Sequence, residues 1–181
     1  MPIAISEEHH ALSRTVRRWL DTHCEPKVVR AVVEADQEEL QPAWTDFASQ
    51  GWLGIHVPER WGGQGFGLLE LAVILEETGW SLLPGPLLPT VVASSVIAEA
   101  GTDAQCGALL PGLVDGSVTA AVYLGPSHLH GLGRMDDGAI RVSGTLRPVL
   151  GAATATVVLV PVRQDDDQPI WCAIDVDQLR V

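Results

Sequence analysis

The 181 residues predict an α+β fold, an all-α N-terminal domain of about six helices followed by a partial antiparallel β-domain. Three observations carry this expectation. Apolar residues recur at helical spacing from Leu12 to the neighbourhood of Leu110. Beyond Gly116 the period changes to short β-branched or apolar runs separated by Gly, Asp and Pro. Between the two patterns of the helical half lies residues 51–65, GWLGIHVPERWGGQG, a glycine-rich stretch that cannot continue as helix and reads as an extended connector.

Ser6 is suited to cap a first helix over 6–24, with Glu7 and Glu8 in the turn where the helix dipole favours acids. Leu12, Val16, Trp19 and Leu20 form its apolar stripe. Val28, Val29, Val32 and Val33 predict a second helix that frays into the acidic run 36–39, read as a solvated loop. Pro42 opens a third, with Trp44, Phe47 and Ala48 buried and Gly51 at its end. Leu68, Leu71, Ala72 and Leu75 define a fourth, stopped at Gly79, and the proline-rich 82–89 is expected to be irregular but packed. Thr90 is expected to cap a fifth helix through Ala100; a sixth begins at Asp103 and reaches about Leu110, with one further turn before Gly116. The strand candidates are 118–124, 139–142, 156–162 and 170–174, with Asp165 to Asp167 as a solvated hairpin loop. The boundary near Asp115 and Gly116 divides the chain into 1–116 and 117–181.

Eleven Lys and Arg against 23 Asp and Glu give a formal net charge of -12, which argues against nucleic-acid and anionic-membrane partners. Cys24, Cys106 and Cys172 lack metal or redox spacing and read as reduced cysteines of a cytoplasmic protein. The N-terminus has no secretory pattern, and no apolar run approaches membrane-spanning length.

Candidate chemistry is sparse. The connector lacks the strand and the Lys-Ser/Thr of a phosphate-binding loop. His128 and His130, two residues apart, would share one face if extended but have no third ligand at close spacing, so they are read as surface residues. His56 is read as a satisfied polar residue of the connector. Ser94, Ser95 and Thr90 have no His/Asp partners in sequence to activate a nucleophile, and Gly131-x-Gly133 lacks the third glycine of a dinucleotide loop.

The order G-W-x-G-I-x-V-P-E-x-x-G-G-x-G, followed by a helix carrying Leu75-Glu76-Glu77-Thr78-Gly79 and a proline-rich turn, resembles the N-terminal helical domain of acyl-CoA dehydrogenases. The similarity weakens after Tyr123. The resemblance implies FAD-dependent α,β-dehydrogenation of an acyl-CoA thioester, with a carboxylate base supplied by a C-terminal helical domain that nothing here matches.

It also implies two flavin-contacting segments in the β-domain. Where the family has T-E-P-x-x-G-S-D, this chain has Leu124-Gly125-Pro126-Ser127-His128, and where the family has an aromatic residue before Ile-Thr-Asn, it has Pro148-Val149-Leu150-Gly151. Leu124 and Leu150 thus replace hydroxyls and Pro148 replaces the aromatic wall. The expectation is a degenerate half-site, with Leu124, Gly125, Ser127, Pro148 and Leu150 at flavin-facing positions and no catalytic residue in the chain. It resembles the flavin-incompetent half of steroid-type bacterial acyl-CoA dehydrogenases, whose assemblies pair competent and incompetent halves. FAD is expected in the intact assembly and not in this chain alone, and the chain is expected to belong to a homo- or hetero-oligomer acting on an acyl-CoA. It would be either the N-terminal portion of a longer polypeptide or a free-standing structural subunit bound to a catalytic partner.

Overall fold

The computed structural model describes residues 6–125, 130–134, 140–163 and 169–179. Six helices come first: α1 Glu7–His23, α2 Pro26–Val33, α3 Ala43–Ser49, α4 Leu68–Trp80, α5 Leu87–Ala100 and α6 Asp103–Asp115. Five strands follow: β1 Ala120–Val122, β2 His130–Arg134, β3 Ile140–Ser143, β4 Val157–Arg163 and β5 Pro169–Asp175.

Ser6 caps α1 as its side chain predicts, accepting from the His9 N–H, and Pro42 immediately precedes α3. Two helix limits depart from the sequence reading, both because of proline. α5 starts at Leu87, within the segment expected to be irregular, because Pro89 sits in the first turn, where a missing N–H costs no intrahelical bond. Thr90 is therefore not a cap; it is fully buried, and its hydroxyl accepts the Ala120 N–H at 3.1 Å, tying α5 to β1. α6 continues through Pro111 to Asp115, held there by the buried Leu110, Leu113 and Val114.

The connector between α3 and α4 folds back on itself. The N–H groups of Gln64, Gly65 and Phe66 donate to the carbonyls of Gly54, Val57 and Ile55. Gly51, at φ 77°, supplies the left-handed residue that ends α3. Gly63 has no such angle and is glycine for want of space: an added Cβ would lie 2.6 Å from the Cβ of Val57 and still closer to the Val57 carbonyl oxygen. Trp52, Leu53, Ile55 and Val57 are buried, as the reading of a packed connector requires.

α4 ends in a Schellman motif. The Leu83 N–H donates to Thr78 O and the Leu82 N–H to Gly79 O, with Leu82 at φ 51° in the position glycine prefers. Leu82 is exposed, so Leu82→Gly should lose little packing and relieve the strained angle. The expected gain is about 0.5 kcal/mol, read as a rise in the urea midpoint. An unchanged or lower midpoint would count against strain at this residue.

The sheet is mixed rather than antiparallel. β4 pairs with β5 antiparallel along its length, with β1 in parallel through Val122↔Leu159, and with β2 in parallel at His130↔Arg163; β2 and β3 pair antiparallel. The two antiparallel pairs join strands adjacent in sequence. β1 and β4 are separated by the β2–β3 pair, and no hairpin constrains them to reverse. β2 was not anticipated, since its His-Gly-Leu-Gly-Arg sequence is glycine-rich and lacks β-branched residues.

One face of the sheet packs on α5 and α6, where Ala120, Val122, Val157 and Leu159 join Ala93, Ile97, Cys106 and Leu110. The other face carries Ala121, Tyr123, Val158, Val160 and Val162 against Ile170, Cys172, Ile174 and Val149. A third cluster, of Val16, Leu20, Trp44, Phe47, Trp52 and Ile74, fills the helical domain.

Candidate functional site

Strand alternation bears on where the positions lie that the resemblance implies would face a flavin. Val122 points toward the helices, so Leu124, two residues on, lies on the same side. Tyr123 points the other way together with Gly125, whose added Cβ would meet the Tyr123 Oη at 2.6 Å. Leu150 exchanges both backbone hydrogen bonds with Val122, at 3.1 and 3.3 Å, which puts its side chain on the face of Val122. The two segments separated by some 25 residues therefore meet at the edge of β1.

Leu124 is 64% exposed and Leu150 47%, and Pro148 is exposed beside them. The structure thus brings Leu124, Gly125, Pro148 and Leu150 together; Ser127, with Pro126 and His128, lies outside the described residues. Neither leucine nor proline side chains can donate a hydrogen bond to a flavin ring, and proline offers no aromatic wall. These side chains do not fit the isoalloxazine contacts that the resemblance implies.

Trp171 also belongs to this face and was missed by sequence reasoning. Its register partner is Pro161, two residues beyond Leu159, and it is 42% exposed. The signal that locates it is the β4–β5 register, which single-strand patterning does not contain.

Titratable groups elsewhere hold the scaffold. The Glu77 side chain, only 5% exposed, accepts from Ser13 Oγ at 2.7 Å and from Arg17 Nε and Nη2, each at 2.7 Å, clamping α1 to α4. Burial pushes the Glu77 carboxyl upward, but the bonds from Arg17 and Ser13 and the charge of Arg17 outweigh it, leaving the group below its ordinary value. His9 Nε2 lies 3.0 Å from Glu70 Oε1, and the Gly67 N–H donates to Glu70 Oε2, so the first turns of α1 and α4 are linked.

His56 is satisfied on one side only. Its Nε2 lies 3.1 Å from Ser94 Oγ, whereas Nδ1 is buried without a hydrogen-bond partner, and burial lowers its pKa. Ser94 is fully enclosed and donates to the Val91 carbonyl, so the pair is not a reachable nucleophile. Among the described residues no group of three or more His, Cys, Asp or Glu could hold a metal ion. No helix among them is long and apolar enough to cross a membrane.

Comparison with known proteins places these features. Residues 6–117 match the family model described as "Acyl-CoA dehydrogenase, N-terminal domain". Acyl-CoA dehydrogenase IpdE2 of Mycobacterium tuberculosis is 31% identical over 151 residues, covering 82% of this chain and 43% of that protein. Acyl-CoA dehydrogenase FadE12 of the same species is 34% identical over 119 residues, or 64% of this chain and 30% of that protein.

Among solved structures, one described as "Tcur3481-Tcur3483 steroid ACAD G363A variant" matches with TM-score 0.83 and 35% identity, over 94% of this chain and 48% of that one. The ChsE4-ChsE5 complex from Mycobacterium tuberculosis also gives TM-score 0.83, at 25% identity over 97% of this chain and 49% of that one. The chain thus spans less than half the length of these relatives. It belongs to the acyl-CoA dehydrogenase family, whose N-terminal domain it matches over residues 6–117.

Proposed function

We propose that this chain is a non-catalytic N-terminal portion of an acyl-CoA dehydrogenase-type protein. It lends scaffold and acyl-pocket walls to a cytoplasmic oligomeric assembly that oxidises the α,β bond of an acyl-CoA thioester, of steroid side-chain or fatty-acyl type. FAD and the carboxylate base would be held by other parts of that assembly, and residues 1–116 and 117–181 would act as its helical and β-domains. The observation that carries this reading is that exposed leucines stand at residue 124, just past β1, and at residue 150, whose backbone pairs with Val122, where the resemblance implies two hydroxyls. Similarity to a structure described as a steroid acyl-CoA dehydrogenase, and to the two-protein ChsE4-ChsE5 complex, supports the substrate class and the oligomer.

The test is an assay of the full chain with added FAD and an electron acceptor against short, long and steroid-type acyl-CoA thioesters. No turnover is expected. Turnover with any of them would require a base and a flavin site within this chain and would overturn the reading.

A further inference from the structure

His56 stands between Ile55 and Val57, whose carbonyls accept the Phe66 and Gly65 N–H groups that close the connector. Its side chain meets α5, where Nε2 lies 3.1 Å from Ser94 Oγ. The Ser94 hydroxyl already donates to the Val91 carbonyl at 3.1 Å, so its oxygen is left to accept and Nε2 carries the imidazole proton. Nδ1 is then a bare lone pair, buried without a hydrogen-bond partner. The neutral ring leaves one acceptor unmet. Protonation would put a charge and an N–H donor at the same enclosed spot, with no acceptor to receive it.

No charge among the described residues offsets that cost. The ionisable groups on the elements around the ring are Glu59 and Arg60 on the connector, Glu70, Glu76 and Glu77 on α4, Glu99 on α5, and Asp103, Cys106 and Asp115 on α6. Arg60 is directed at Asp103, 3.9 Å away, and Glu70 and Glu77 are bound to His9 and Arg17. Burial lowers the pKa of His56, opposed only by the Val91 carbonyl.

We propose that His56 is an acid-sensitive latch: neutral, it holds the connector against α5, and protonated, it lets residues 54–66 open locally. The bonds from Gly65 and Phe66 go first, since their acceptors flank the histidine. α5 itself stays in place, because Thr90 Oγ1 accepts the Ala120 N–H at 3.1 Å and Ala93 and Ile97 pack with Cys106 and Leu110 of α6. The direction follows from the lowered value. An opened imidazole takes up its proton at the ordinary 6.5, the closed one only below it. The latch is therefore fully closed above about pH 6.5 and weakens as pH falls through the folded value.

The experiment follows amide hydrogen exchange of the full chain at pH 7.5 and pH 5.5 by NMR, corrected for intrinsic rates. Protection of Gln64, Gly65 and Phe66 should fall by up to about ten-fold, the factor by which an open imidazole of ordinary pKa gains protons over that interval, while protection in α5 holds. The comparisons are His56→Gln, whose amide can still donate to Ser94 Oγ but takes up no proton, and His10→Gln at an exposed position. The fall should vanish in His56→Gln and persist in His10→Gln. No fall in the wild type, an equal fall in His56→Gln, or an equal loss of protection in α5 would overturn the proposal. Imidazole nitrogen shifts of the wild type give a readout that no variant's folding can confuse. At pH 7.5 His56 should show a protonated Nε2 and a bare Nδ1, and it should take up its second proton below pH 6.5. The opposite tautomer, or protonation at or above that pH, would equally overturn it.

Discussion

Gly63→Ala should lower the unfolding free energy by about 3 kcal/mol or more. The new methyl group would lie within 2.5 Å of the Val57 carbonyl carbon and 2.6 Å of Val57 Cβ, and Val57 is fully buried. The obstacle is backbone, which cannot swing aside as the end of a flexible side chain can. The connector would have to open, and its bonds from Gln64, Gly65 and Phe66 back to residues 54–57 would go with it. Urea unfolding followed by circular dichroism measures the loss. Gly79→Ala is the control, because an added Cβ there has nothing within 4 Å, and it should be no less stable than wild type. Equal stability of the two variants would mean that residue 63 has room for a side chain.

Glu77→Ala should cost on the order of 2 kcal/mol, since it removes the acceptor of three bonds between α1 and α4. The figure stays at the low end for a buried carboxylate because Arg17 is 59% exposed and recovers water when released. The pH dependence has a definite sign. With the folded value below the ordinary 4.5, the unfolded chain takes up the proton first as the solution is acidified. The contribution is therefore complete above about pH 4.5 and is lost as pH falls through the folded value. Melting temperatures measured from pH 6 to pH 3 should fall less steeply for Glu77→Gln than for wild type. Parallel slopes would show that Glu77 is not held below its ordinary value.

The helices were legible because their signals are local: the Ser6 cap, the stripes of α1, α3 and α4, and the glycines after α3 and α6. Proline misled at Pro89 and Pro111, where its position in the first turn and the burial around it outweigh its reputation as a breaker. The parallel pairing of β1 with β4 could not be read locally, because it depends on residues 120 and 157 meeting through tertiary packing. The Glu77 clamp was hidden for the same reason, its partners lying 60 and 64 residues away. At the candidate site, Leu124, Pro148 and Leu150 came from the family resemblance, and the structure contributed their shared face. Trp171 became visible only with the β4–β5 register.

The central claim is that this half of the fold has lost its flavin site, and flavin retention tests it most directly. The purified full chain is incubated with excess FAD, passed through gel filtration, and the protein peak is scanned for the visible flavin absorption band. A colourless peak is the expected result, given leucines at residues 124 and 150 and proline at 148. A band stoichiometric with protein, surviving the column, would contradict it.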